Sequence, residues 1–182
     1  MDLLERESAL DVLIAARNDA ARGEGRVVFV TGEPGIGKTS LVTRFVDDLG
    51  PDARVLLGTC DDLSIPRPLG PIRDLAGAVS EPLERALASG ALAHEVQTLL
   101  LTELELEPRP TVLVLEDVHW ADDATFDSIT VLGRRIGSLP ALLVLTLRTG
   151  EAPPGHPLHA LLGSIRADHS TVLELAPLSE DA

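Results

Sequence analysis

Apolar positions along the chain alternate between two rhythms. Uninterrupted apolar runs recur at Val27–Val30, Arg54–Leu57, Val112–Leu115, Leu142–Leu147 and Val172–Leu175. A run that stays apolar, rather than alternating with polar residues, suits a strand covered on both faces, as in a parallel sheet. Between the runs, apolar residues fall on helical spacing. Leu41, Phe45 and Leu49, with Val42 and Val46 beside them, make one stripe, and Phe126, Ile129, Leu132 and Ile136 make another. Asp122 or Asp123 stands where the second stripe begins, the place of a helix N-cap. Leu4 to Ala21 reads as an opening helix, and Ala86 to Leu106 as helix broken near Ser89-Gly90. Asp61–Pro71 and Glu151–Pro157 each hold three prolines and read as loops. The alternation predicts an α/β domain over residues 1–176: a doubly wound, mainly parallel five-stranded sheet flanked by helices. The last residues, 177–182, read as the start of another helix.

A length of 182 residues suits one domain with a sizeable core. Phe29, Phe45, Phe126 and Trp120 are the only aromatic side chains besides histidine, so that core has to be aliphatic. The formal net charge of -14 argues against direct nucleic-acid binding by this segment, because such binding rests on Lys and Arg meeting phosphates. It does not exclude a nucleotide, since a local nest of backbone N–H groups with a metal ion can outweigh the global field. Cys60 is the single cysteine, which rules out an internal disulfide and fits a reducing cytoplasm; it ends an apolar segment and reads as a small core residue. The opening MDLLERESAL lacks the basic and apolar regions of a signal peptide, and runs such as Ala141–Leu145 are too short to span a bilayer, so no membrane partner is expected.

Of the basic residues, fourteen are Arg and one is Lys, and that one is Lys38. It lies in VVFVTGEPGIGKTSLVTRF, where Gly32, Gly37, Lys38 and Thr39 satisfy the phosphate-loop pattern G-x-x-x-x-G-K-S/T. Each residue type has a reason. Glycines let the backbone turn and approach phosphate without a Cβ, and successive N–H groups then face an anion-sized hollow beside the positive end of the next helix. A lysine ammonium reaches the β- and γ-phosphates, and the Thr39 hydroxyl ligates Mg2+. The loop as a whole, Gly32, Glu33, Pro34, Gly35, Ile36, Gly37, Lys38, Thr39 and Ser40, is the expected binding segment for ATP. A hydrophobic strand before it and an amphipathic helix after it supply the required context.

Two further features end strands. Glu116 and Asp117 close the run VLVLED, where carboxylates can hold Mg2+ through water and polarise an attacking water. Arg148 closes LLVLTLR, where it can contact a γ-phosphate. Ligands of open parallel sheets sit beyond the carboxyl ends of the strands, so all three features are expected on one edge. Asp122 and Asp123 read as helix caps rather than metal ligands, Trp120 as a packing anchor, and His119 as a polar lining of the loop.

GEPGIGKTSLV at 32–42, LEDVHWAD at 115–122 and LTLRTGE at 145–151 together resemble the ATPase core of the signal transduction ATPases with numerous domains (STAND), particularly the large ATP-binding LuxR-type and MalT-like regulators. The resemblance implies a phosphate-loop strand beside the Arg-bearing strand. It implies phosphate and metal binding by Lys38 and Thr39, a Walker B pair in Glu116 and Asp117, and a sensor arginine in Arg148. Leu3–Glu7 resembles the family's adenine-side motif around Arg6, with Glu5 standing where that motif has Gly; Glu116 stands where many members have Asp. LELAPLSEDA resembles the entrance to a helical lid, so 177–182 is expected to begin one, and the lid and effector domains of a longer chain are expected partners beside ATP and ADP. The implied function is a nucleotide-controlled regulatory module with weak ATPase activity. A small-molecule kinase or other phosphotransferase is the alternative, and a degenerate scaffold that binds partners without nucleotide is a third.

Overall fold

The computed structural model describes residues 6–62, 67–150 and 155–177. In chain order these form α1 (Glu7–Ala21), β1 (Arg26–Gly32), α2 (Lys38–Asp48), β2 (Arg54–Thr59), α3 (Gly70–Arg73), α4 (Glu81–Ser89), α5 (Ala93–Leu106), β3 (Thr111–Glu116), α6 (Asp123–Arg135), β4 (Ala141–Arg148), α7 (Pro157–Ser164) and β5 (Ser170–Glu174). The strands form one sheet in the order β2-β3-β4-β1-β5, and every pairing is parallel. The phosphate-loop strand β1 lies between β4 and β5, next to the strand that carries Arg148, as the family resemblance implied.

Side chains of a strand alternate between the two faces of the sheet, and here both faces are covered. Val28, Val30, Val112, Val114, Leu142 and Val144 share one core with Leu13 of α1 and with Leu41 and Phe45 of α2. Val27, Phe29, Leu113, Leu115, Leu143 and Leu145 share the other with residues of α3 to α7. Leu13, Leu41 and Phe45 are fully buried, each contributing about 1.5–3 kcal/mol of transfer free energy. The continuous apolar runs of β1, β3 and β4 are therefore doubly covered strands. Cys60 sits in the second core, as expected; burial, with Asp122, Asp117, Asp61 and Asp74 nearby, pushes its thiol up to about 12.

Several elements depart from the expectations. The opening helix starts at Glu7 rather than Leu4, with Arg6 as its non-helical cap residue; residues 1–5 lie outside the described set. β5 runs from Ser170 to Glu174, not from Val172 to Leu175, and it is not covered on both faces. It pairs only with β1 among the described strands, and Val172 is 61% exposed. In β2, Leu57 is 52% exposed for the same reason of edge position. The break near Ser89-Gly90 is real: Gly90 takes φ 72 and ends α4, which begins at Glu81, before the expected start at Ala86. The expected loop 61–71 gives way at Gly70 to the short α3, and Pro157 opens α7 instead of closing a loop. Leu63–Pro66 and Glu151–Pro154 of those loops, and Leu178–Ala182 of the expected lid, lie outside the described residues.

Candidate functional site

β1 delivers its last residue, Gly32, to a bend that ends at Gly37, where α2 begins. Gly37 is the helix cap residue and takes φ 99, a conformation costly for any residue with a Cβ. At Gly32 the limit is space: a Cβ would lie 2.9 Å from Ile36 Cγ2 and 3.3 Å from the Leu175 carbonyl oxygen. The first N–H groups of α2 have no helical acceptor and carry the positive end of the helix dipole. Lys38 turns back into the bend and is 7% exposed; its ammonium donates to the carbonyl oxygens of Gly32 at 2.9 Å and Glu33 at 3.0 Å.

The other two strand ends arrive beside this bend. Arg148 is the register partner of Gly32, and the next amide, Thr149 N–H, donates to the Gly32 carbonyl at 3.2 Å. β3 ends in Glu116, and Asp117 follows with φ 52. A positive φ is uncommon outside glycine, although Asp tolerates it better than most. The Asp117 N–H donates to the Thr146 hydroxyl of β4 at 2.9 Å, which ties the turn to the neighbouring strand.

A hollow of about 260 Å³ opens where the three ends meet, lined by Pro34, Gly35, Gly37, Lys38, Thr39, Ser40, Asp117 and Arg148. Of the expected site residues, Gly32, Glu33, Ile36 and Glu116 are not in that lining. Gly32 and Ile36 form the base of the bend, and Glu33 is exposed. Glu116 Oε1 is buried and has no hydrogen-bond partner among the described residues. A buried carboxylate oxygen in that condition is costly unless a cation or water meets it. Among the described residues no group of three or more His, Cys, Asp or Glu is placed to hold a metal by itself. The donors fit Mg2+ in its usual mode, one or two carboxylates with a hydroxyl and substrate phosphates.

Asp122 is a cap, as expected. Its carboxylate accepts from Ala124 N–H at 3.0 Å and Leu69 N–H at 3.1 Å, and from the Thr125 hydroxyl. His119 does not line the loop: it is buried, with its ring 4.5 Å from that of Trp120. Trp120 is half-buried against the core, and the Arg148 guanidinium lies over its indole, Cζ 4.5 Å from the ring centroid.

Two contacts escaped the sequence reading, and one residue it named makes bonds it did not foresee. Thr146 carried a signal, as the one polar residue between Ala141 and Leu147 of a strand buried on both faces. The Arg148–Trp120 contact had none, because it joins residues far apart in the chain. Arg6, assigned by resemblance to the adenine side, donates to the Ile36 carbonyl at 3.0 Å and the Ala176 carbonyl at 2.9 Å. Its side chain thus joins the start of α1, the phosphate loop and the segment after β5.

Comparison with known proteins agrees with the fold. A family model described as AAA ATPase domain matches residues 2–145. An uncharacterized protein of Rhizobium meliloti is 25% identical over 98% of this chain, which spans only 21% of that protein's length. Among solved structures, the Aeropyrum pernix ORC1 protein in complex with DNA matches at TM-score 0.68 and 20% identity, over 98% of this chain and 47% of that one. A STAND protein with a tetratricopeptide repeat sensor from Pyrococcus horikoshii matches at TM-score 0.57 and 18% identity, over 98% of this chain and 24% of that one. At these identities the solved structures show a shared fold, that of P-loop ATPase cores. No helix among the described residues is long and apolar enough to cross a membrane.

Proposed function

The chain belongs to the AAA ATPase domain family, and on that premise we propose that it binds ATP with Mg2+ and hydrolyses it slowly, as the nucleotide-controlled switch of a cytoplasmic signalling or transcriptional regulator. One observation carries the reading. The loop residues Pro34, Gly35, Gly37, Lys38, Thr39 and Ser40 share a single hollow with Asp117 and Arg148, which arrive from two neighbouring strand ends.

The roles follow from the donors. The amides at the start of α2 and the Lys38 ammonium stabilise negative charge on the phosphates. Thr39, Glu116 and Asp117 are the residues that would hold the metal, which when bound neutralises phosphate oxygens and fixes their orientation. Asp117 accepts a hydrogen bond from the attacking water and orients it. Arg148 meets the terminal phosphate and distinguishes the triphosphate from the diphosphate. The net charge of -14 weighs against a nucleic-acid backbone as the ligand of this segment, whereas the local amides of the loop with a metal ion can hold a nucleotide against that field. The motif resemblance to LuxR-type regulators, and the repeat sensor joined to the P. horikoshii STAND protein, support a regulatory setting.

The test is thermal stabilisation by ATP and Mg2+. At one hundred times the dissociation constant, binding should add about 2.7 kcal/mol. Lys38→Ala should abolish that gain. An equal melting shift in the wild type and the variant would refute the assignment.

A further inference from the structure

We infer that Thr146 is a positioning residue: its hydroxyl holds Asp117 in the turn that brings it to the phosphate hollow, and it governs hydrolysis rather than nucleotide binding. The inference rests on the nucleotide reading above and adds a residue to it. Thr146 is 1% exposed and is absent from the lining of the hollow, whereas Asp117 belongs to that lining. Any effect of Thr146 on the site therefore passes through another residue.

The paired ladder of β3 and β4 ends at Leu115 and Leu145. Two residues later the Asp117 amide has left that ladder, and its acceptor is a side-chain oxygen, the Thr146 hydroxyl at 2.9 Å. On the other side of the same Cα, the Asp117 carbonyl accepts from the Trp120 N–H at 3.0 Å. That second bond closes the short turn Val118–Trp120 on itself and moves with it. The Thr146 bond fastens Asp117 to the sheet. Between the two, Asp117 takes φ 52 and ψ 44, a left-handed conformation that persists only where its surroundings hold it. Packing alone does not call for a hydroxyl at this point of a strand buried on both faces, since valine has nearly the same shape. The branched Cβ restricts χ1, so the threonine oxygen is fixed in place rather than merely available.

Without the hydroxyl, a part-buried N–H loses its acceptor beside a strained φ, and the turn relaxes. A displacement of about 1 Å in a reacting group costs on the order of a hundredfold in rate. The phosphate grip is placed differently: the Lys38 ammonium is set by the Gly32 and Glu33 carbonyls of the bend itself. Loss of the hydroxyl therefore separates the two functions.

The experiment compares the 182-residue chain with Thr146→Val and Thr146→Ser. It measures single-turnover phosphate release from labelled ATP, and the dissociation constants of ADP and a non-hydrolysable ATP analogue, all with Mg2+. Thr146→Val should slow release about ten- to a hundredfold with both affinities unchanged, and Thr146→Ser, which keeps the oxygen, should recover most of the rate. In an Asp117→Asn background Thr146→Val should add no further loss, because the two residues act as one unit. The Asp117 amide should exchange its hydrogen faster in Thr146→Val than in the wild type or Thr146→Ser. Wild-type release in Thr146→Val, equal loss of release and affinity, failure of serine to rescue, a full further loss in the Asp117→Asn background, or unchanged amide exchange overturns the inference. Should Thr146→Val not fold, Thr146→Ala gives the same comparisons. A wild type that binds ATP but releases no phosphate overturns the role of Thr146 and leaves nucleotide binding standing; a wild type that binds neither nucleotide overturns both.

Discussion

Asp117 shows how much of the site is settled within one residue. Its φ of 52 turns the chain sharply out of β3, and the Thr146 hydroxyl secures the turn through the Asp117 amide. Backbone strain that the surroundings hold in place concentrates at functional sites. Asn tolerates the same conformation as Asp, so Asp117→Asn removes the carboxylate charge without releasing the turn. ATP-dependent stabilisation should persist in that variant, while phosphate release falls by roughly a hundredfold or more. Complete loss of stabilisation would make holding the metal the main role of Asp117, and unchanged phosphate release would remove it as the residue that orients the water. Gly37, Lys38 and Thr39 were legible in the sequence because their chemistry depends on near neighbours along the chain. Asp117 was legible as a carboxylate at a strand end; its turn geometry, which depends on Thr146 in another strand, was not.

At the scale of elements, strands and long helices followed their patterns because burial enforces the period. β1, β3 and β4 are apolar on both faces and lie in the middle of the sheet; α2 and α6 present one stripe each. The elements that escaped are short. α3 has four residues, and α7 is PLHALLGS, too brief and too uniformly apolar to display a helical period. Arg6 works at this scale, since its two donated bonds link α1 to the loop and to the chain beyond β5. Arg6→Ala would leave two inward-facing carbonyl oxygens without a donor, at a cost of about 1–3 kcal/mol. Chemical denaturation should show that loss, and ATP affinity should fall as the loop relaxes; a variant with wild-type stability would place Arg6 outside the loop's support.

Across the whole molecule, the acidic surface and the ion pairs set the response to pH. Arg54 on β2 pairs with Glu103 of α5 at 2.6 Å and with Glu107, the residue that follows α5, at 3.3 Å, and also donates to the Ala78 carbonyl. Burial raises the Glu103 carboxyl, but hydrogen bonds from Ser80 and Arg54 outweigh it and hold the group below its ordinary range. A depressed folded value means the contribution is complete above the unfolded value of about 4.3 and disappears as pH falls through the folded value. Glu103→Gln should therefore melt lower than the wild type at neutral pH, with the gap narrowing below about pH 4. A gap that stays constant down to pH 3 would remove the ion pair as its cause.

What unites these scales is the proposed phosphate grip, made by one bend and two strand ends of the same sheet beside it. Equilibrium dialysis of labelled ATP with Mg2+ against the wild-type chain and Lys38→Ala measures that grip directly. The expected result is one ATP retained per wild-type chain and none on the variant. No retention by the wild type, or equal retention by both, would contradict it.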